Sequence, residues 1–175
     1  MQALRRTGIL LLLLGIVWLT AKQLAKEPET ALTVTQTKDA LAGRIAWDEF
    51  EEADPAALLR ELSEENGGEG LTLPEDAESV YYASDYLMDV REFLAVKSAD
   101  REWLSQLADC LLARAERRAD AYAAYEPEQS RYLSQAVCRV EQGMLFYFVG
   151  KDAPEAEKIF EQLLKTAEED NSVKN

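Results

Sequence analysis

Cysteine and arginine side chains are the groups in this chain whose types and spacing suggest chemistry. Cys110 and Cys138 are its two cysteines, and none of the 175 residues is histidine. The lack of histidine excludes Ser-His-Asp and Cys-His nucleophile pairs, His-ligated zinc and an imidazole proton shuttle. Two cysteines without a CxxC motif are also too few for a structural zinc site. We therefore predict no catalytic residue, no metal site and no cofactor, and we do not expect an enzyme.

The two cysteines are spaced so that they could form a disulfide. Cys110 precedes a predicted turn near Tyr125 to Pro127 by about as many residues as Cys138 follows it. On two antiparallel helices their offset along the axis would be only ~3 to 4.5 Å. A disulfide there would indicate an oxidising compartment and stabilise the fold by about 3 to 4 kcal/mol. The alternative is two small buried thiols that do not meet.

Charged side chains leave two further alternatives open. Arg114, Arg117 and Arg118 cluster on one predicted helix. They could bind a carboxylate or an acidic peptide of a partner, or they could pair with acids on neighbouring helices. The acidic run from Asp48 to Asp54 lacks the ligand pattern and glycine of a calcium loop, so we expect a solvated surface. With 33 acidic and 19 basic residues, the net charge of −14 argues against nucleic-acid binding.

An uncharged stretch near the N-terminus predicts attachment to a membrane. Residues 7–21 read TGILLLLLGIVWLTA and follow Arg5 and Arg6. A helix of this length spans ~22 Å, which fits a short anchor or the apolar part of a signal peptide. We favour an uncleaved single-pass anchor, because Leu19 is a poor −3 residue for cleavage after Ala21. The positive-inside rule then places the C-terminal domain outside the cytoplasm, whereas cleavage would give a secreted or periplasmic protein.

Hydrophobic periodicity in the rest of the chain predicts an all-α fold of antiparallel helical hairpins, as a bundle or a short repeat array, behind the hydrophobic segment. No stretch after residue 40 alternates with period two, and helix starts are indicated near Pro74, Ser98, Pro127 and Asp152. Tyr82 and Tyr86 have helical spacing, which would leave Tyr81 outside the core. The predicted organisation is an anchor or signal peptide (1–25), a linker (26–47), an acidic short helix with a Gly-rich loop (48–70), a four-helix domain (71–170) and a tail (171–175).

The predicted C-terminal hairpin resembles a tetratricopeptide repeat. Gly143, Phe146, Gly150, Ala156 and Phe160 stand where that family has small residues and aromatics at the contact of its two helices. The alternative is an ordinary antiparallel hairpin that ends at a glycine. The resemblance implies a groove that holds a peptide or a partner helix, and it implies no chemistry.

These features together predict a membrane-anchored extracytoplasmic adaptor or assembly factor that binds protein partners, namely membrane or envelope proteins, in an envelope complex. Its expected contact surfaces are the arginine face of Arg114, Arg117 and Arg118 and the hairpin that carries Gly143, Phe146 and Phe160. Two alternatives remain. The chain could be a structural subunit of a larger membrane complex, or a small-ligand carrier or enzyme that uses acidic and tyrosine side chains in the bundle core.

Overall fold

A computed structural model describes residues 30–47, 50–65, 70–84, 86 and 88–174. Within these ranges the chain forms five helices and five strands. The helices are α1 (Val34–Ala42), α2 (Pro55–Glu65), α3 (Arg101–Tyr122), α4 (Pro127–Ser134) and α5 (Ala153–Lys174). The strands are β1 (Glu51–Ala53), β2 (Glu78–Ala83), β3 (Glu92–Lys97), β4 (Val137–Glu141) and β5 (Met144–Val149).

The five strands form one antiparallel sheet in the order β1-β2-β3-β5-β4. The chain leaves β3 at the middle of the sheet, crosses one face through α3 and α4, and returns as the β4–β5 hairpin. Because β5 pairs with β3, strand β4 becomes an edge of the sheet. This topology brings α3, α4 and the edge strand together.

Helices cover both faces of the sheet. Leu94, Leu145 and Tyr147 point toward the layer of α2, α3 and α4, and all three are buried in one apolar cluster. Phe93 and Phe146, their neighbours along β3 and β5, point to the opposite face and pack with α1 and α5. The fold is therefore a three-layer α/β/α domain whose central strands are buried on both sides.

The predicted all-α fold class is wrong for this reason. A strand covered on one face alternates between apolar and polar residues, whereas a strand covered on both faces is apolar throughout. All six residues of Met144–Val149 are buried, and their continuous apolar run also satisfies a helical spacing. The segment predicted as a helix from Pro74 instead forms strands β2 and β3. The segment predicted as a helix ending at Val149 instead forms the short helix α4 and the strands β4 and β5.

The tetratricopeptide resemblance is wrong as well, because its two glycines lie at the ends of a strand. Gln142 and Gly143 form the two-residue turn of the β4–β5 hairpin, with φ of 53° and 79°. A turn with two positive φ values favours glycine, so Gly143 is explained without close packing of helices. Gly150 directly follows β5. The seven-residue spacing of the two glycines is therefore set by the length of one strand.

Three helices lie where the sequence predicts them, because each buries a single face. Helix α2 begins at Pro55, α3 buries Leu104, Leu107 and Leu111 in a row, and α5 begins at Ala153. Helix α1 lies inside the segment predicted as a linker, where the side chains of Thr33 and Gln36 form a capping box.

Several predicted features lie outside the described residues: the hydrophobic stretch 7–21, Asp48 and Glu49 of the acidic run, and residues 66–69 of the Gly-rich loop. Among the residues that are described, no helix has both the length and the apolar character needed to cross a membrane.

Candidate functional site

A buried carboxylate, Glu92, forms the centre of a polar cluster between the sheet and α3. Glu92 begins β3 and is 2% exposed, and Arg114 on α3 is 5% exposed. The Nη1 of Arg114 donates to Oε1 of Glu92 at 2.7 Å, and the Nη1 of Arg118 donates to the same oxygen at 3.2 Å. One carboxylate therefore accepts from two guanidinium groups one helical turn apart.

Two tyrosine hydroxyls also donate hydrogen bonds to Glu92. The hydroxyl of Tyr147 donates to Oε1 at 3.1 Å, and the hydroxyl of Tyr81 donates to Oε2 at 3.0 Å. Burial and the charge of Glu92 raise the pKa of both tyrosines far above the ordinary range, so both remain neutral donors. Burial lowers the pKa of Arg114, but the charges of Glu92 and Glu61 raise it overall, so the guanidinium remains charged.

This cluster fixes elements to one another instead of presenting a reactive group. Both oxygens of Glu92 are occupied by protein donors, and the Nε of Arg114 also donates to Glu61 on α2 at 3.1 Å. The cluster thus ties α2 and α3 to the three central strands, β2, β3 and β5. The acidic and tyrosine side chains expected for a core ligand site are present, but they satisfy one another.

In the structure, the three arginines of the predicted arginine face pair with nearby acids. Arg114 and Arg118 bind Glu92, and Arg117 pairs with Glu65 on α2. Arg114 is buried within this network, whereas the side chains of Arg117 and Arg118 remain partly exposed. Gly143, Phe146 and Phe160 are also buried, Gly143 in a hairpin turn and the two phenylalanines against each other in the core.

An open cleft of about 420 Å³ lies between α3 and α4, and we call it cleft 1. Its floor is apolar, with Ala115, Ala119, Leu133 and Ala136. Leu112, which is 43% exposed, lies at its rim, and the exposed carboxylates of Glu116 and Asp120 line the same side. Among the described residues, neither of these two carboxylates is ion-paired. The cleft therefore combines apolar contact area with unbalanced negative charge.

A second cleft, cleft 2, has a volume of about 270 Å³ and lies between the β4–β5 hairpin and α5. Leu164 on α5 lines it together with charged side chains. Arg139 on β4 pairs with Glu141 and also with Glu157 on α5, in the latter case at 2.8 Å. Cleft 2 therefore has a mixed polar lining with its charges largely paired. The two clefts lie on opposite faces of the sheet beside the same edge strand.

The two cysteines lie on α3 and β4, and both are free thiols. The prediction that Cys138 lies on a helix is wrong. Both residues pack against the core cluster beneath α3. Burial, followed by the charge of Asp109, raises the pKa of Cys138 to about 12, and burial also raises the pKa of Cys110. Reactivity requires the thiolate, so neither cysteine has the character of a catalytic nucleophile.

We expect Cys138 to resist alkylation in the folded protein. With its pKa raised to about 12, almost no thiolate exists at pH 8, whereas unfolding returns the group toward an ordinary thiol pKa of about 8.5. Iodoacetamide labelling at pH 8, followed by peptide mass spectrometry, should modify Cys138 at least tenfold faster in urea than in buffer. Equal rates in the two conditions would contradict the packing of Cys138 against the core cluster. Labelling in urea that appears only after reduction would instead support the predicted disulfide with Cys110.

No group of three or more Cys, Asp or Glu side chains in the described ranges is arranged to hold a metal ion.

Comparison with known proteins gives one match. No curated protein and no solved structure is significantly similar to the chain. The matching family model covers residues 70–150, from before β2 to the end of β5, and so contains Glu92, Arg114, cleft 1 and the edge strand. It gives no support to the tetratricopeptide resemblance. Over this region the chain is similar to the family described as "Domain of unknown function (DUF4358)".

Proposed function

We propose that this chain is a non-catalytic protein-binding domain, attached to a membrane by residues 7–21 and acting outside the cytoplasm as an adaptor or assembly factor. The observation that carries the proposal is cleft 1, an open cleft of about 420 Å³ with an apolar floor. Leu112 at its rim leaves 43% of its surface exposed. An open concavity with an exposed leucine at its rim and two carboxylates beside it can receive a side chain of a protein partner.

The state of the reactive side chains supports binding over catalysis. Glu92, Tyr81 and Tyr147 bind one another, and the pKa of each tyrosine is shifted away from the range in which it could exchange protons. A general acid or base needs a pKa near the working pH and access to the substrate. The two tyrosines offer neither, and we assign the cluster the role of holding α3 rigidly against the sheet.

The position of cleft 1 agrees with attachment through the N-terminal segment. The N–H of Thr30 donates to the carbonyl of Gln142 at 2.9 Å, so this segment joins the body at the β4–β5 turn. The start of α3 lies at the same end, because the N–H of Ser98 donates to the carbonyl of Gly143 at 3.0 Å. Glu116 follows the start of α3 by a helical distance of about 22 Å. Cleft 1 therefore lies along α3 at a distance from the end of the domain where Thr30 enters, which leaves it accessible to a partner when the chain is attached through its N-terminal segment.

Site-specific photocrosslinking in intact cells tests this proposal. A photoreactive amino acid at Leu112 should give an adduct of defined mass, whereas the same group at exposed Lys158, on the opposite face of the domain, should give none. Adding Asp120→Lys to the Leu112 probe should reduce the adduct at least fivefold, because the charge of the cleft is changed while the fold is not. Adducts of equal yield at both positions, or none at Leu112, would contradict the proposal.

A further inference from the structure

The outer edge of β4 presents backbone groups that the sheet does not use. In a hairpin with a two-residue turn, the flanking residues Glu141 and Met144 form a hydrogen-bonded pair, and hydrogen-bonded and non-bonded pairs then alternate along the strands. Cys138 and Val140 occupy the non-bonded positions opposite β5. Their N–H and C=O groups therefore point outward, along an edge that pairs with no further strand among the residues the structure describes.

The two clefts flank this edge on opposite faces. Cleft 1 includes Ala136, directly before β4, and cleft 2 includes Arg139 and Glu141 of β4 itself. Side chains of an added strand would point alternately to the two faces. A strand beside β4 would thus place its side chains in turn toward cleft 1 under α3 and toward cleft 2 under α5.

We propose that an extended, lysine- or arginine-bearing segment of a protein partner pairs with β4 as a sixth strand. Backbone groups of Cys138 and Val140 bind its main chain, and cleft 1 receives a basic side chain. This inference rests on the proposed function and names the binding mode and the chemistry of the partner. Strand addition of this kind derives affinity from main-chain hydrogen bonds and specificity from pockets for alternate side chains.

Charge complementarity selects the basic segment over other occupants. The methylene stem of a lysine or arginine can lie on the exposed side chain of Leu112 while its cationic end reaches Glu116 and Asp120. A net charge of −14 adds long-range attraction for a basic segment. The same charge opposes pairing with a second copy of this chain, which would bring together two chains of net charge −14.

A defined peptide tests the inference on the full chain in a non-ionic detergent. The probe is the acetylated, amidated heptapeptide Val-Lys-Val-Lys-Val-Lys-Val, and its control has glutamate in place of lysine. Titration followed by amide NMR shifts should perturb Cys138 and Val140, with at least tenfold weaker binding of the glutamate peptide. Affinity should fall between 50 and 200 mM salt. Equal binding of both peptides, or shifts confined to α5, would overturn the inference.

Two variants separate the backbone and charge contributions. Val140→Pro removes an outward N–H without removing a bond to β5, a change that edge strands tolerate. Asp120→Lys reverses one charge of cleft 1, and Glu155→Lys, at an exposed carboxylate on α5, is its matched control. Each of the first two should weaken peptide binding at least tenfold, while the control changes it less than threefold. Unchanged amide spectra away from β4 establish that Val140→Pro is folded, and if it is not, Asp120→Lys decides alone.

The outcomes distinguish this inference from the proposed function. If the Leu112 probe gives its adduct in cells and Val140→Pro leaves the yield unchanged, strand pairing is overturned while protein binding at cleft 1 stands. If the Leu112 probe gives no adduct, both fail. If sedimentation shows a dimer and Val140→Pro dissociates it, the β4 edge pairs with a second copy of this chain and not with a basic partner segment. If the peptide binds only after residues 22–29 are removed, the β4 edge is the binding site of the chain's own N-terminal segment.

Discussion

Glu92→Ala is expected to lower the free energy of unfolding by about 3 to 5 kcal/mol, since it leaves buried charge and donors without their acceptor. Arg114, Arg118, Tyr81 and Tyr147 all donate to this one carboxylate, which is 2% exposed. The loss is expected to exceed that of an ordinary hydrogen bond, which contributes about 1 kcal/mol. Urea denaturation of the full chain in detergent, followed by circular dichroism, measures it.

The control for this prediction is Glu61→Ala. Glu61 also pairs with Arg114, but half of its side chain is exposed, so its removal should cost less than about 1 kcal/mol. Glu92→Gln keeps the shape of the side chain and an oxygen acceptor, and it should fall between the two. A loss for Glu92→Ala no larger than that of Glu61→Ala would show that the cluster does not fix α3 to the sheet.

Phe160→Ala is expected to destabilise the domain by about 3 to 5 kcal/mol, the range for removing a large aromatic side chain from a core. Phe160 on α5 stacks on Phe146 of β5, with ring centroids 4.6 Å apart and planes 13° apart. Both rings are almost wholly buried. Their contact joins the outer helical layer to the middle of the sheet, so its loss should also loosen α1, which packs in the same cluster.

Phe160→Leu and Phe146→Ala are the comparisons for this prediction. Leucine retains much of the apolar volume and should cost clearly less than alanine. Combining Phe160→Ala with Phe146→Ala should cost less than the two single losses together, because the residues share one contact. If the phenylalanines instead contact a partner, as the sequence suggested, Phe160→Ala would leave the unfolding midpoint of the isolated chain unchanged.

The helices and strands of this domain differ in how far they can be predicted from sequence. Helices α3 and α5 each bury one face, so their apolar residues recur with a clear helical period. Strands β3 and β5 are covered by helices on both faces and carry no alternation. Their distinguishing signal is richness in aromatic and β-branched residues over a short length, as in Met144–Val149 with Gly143 and Gly150 at its ends.

The candidate site could be predicted only in part. The arginines of α3 were found because they are near in sequence, and their pairing with acids was an open alternative. Glu92 was missed because its partners on α3 and β5 come together only through the fold. The sequence does carry one signal for Glu92, which directly precedes a strongly apolar segment. A carboxylate buried at such a position requires a cationic or hydrogen-bonding partner. Tyr81 and Tyr86 were misplaced because a strand was interpreted as a helix: Tyr81 is buried and Tyr86 is 65% exposed.

Hydrogen exchange in native membranes tests the central claim most directly, that a protein partner covers cleft 1 and the β4 edge. Peptide-level exchange should be compared between the chain in isolated native membranes and the chain purified in detergent. We expect segments containing residues 109–120 and 135–141 to exchange at least fivefold more slowly in the membranes, with no change in residues 34–42 of α1, which line neither cleft. Equal exchange of β4 and α3 in both preparations would contradict the account.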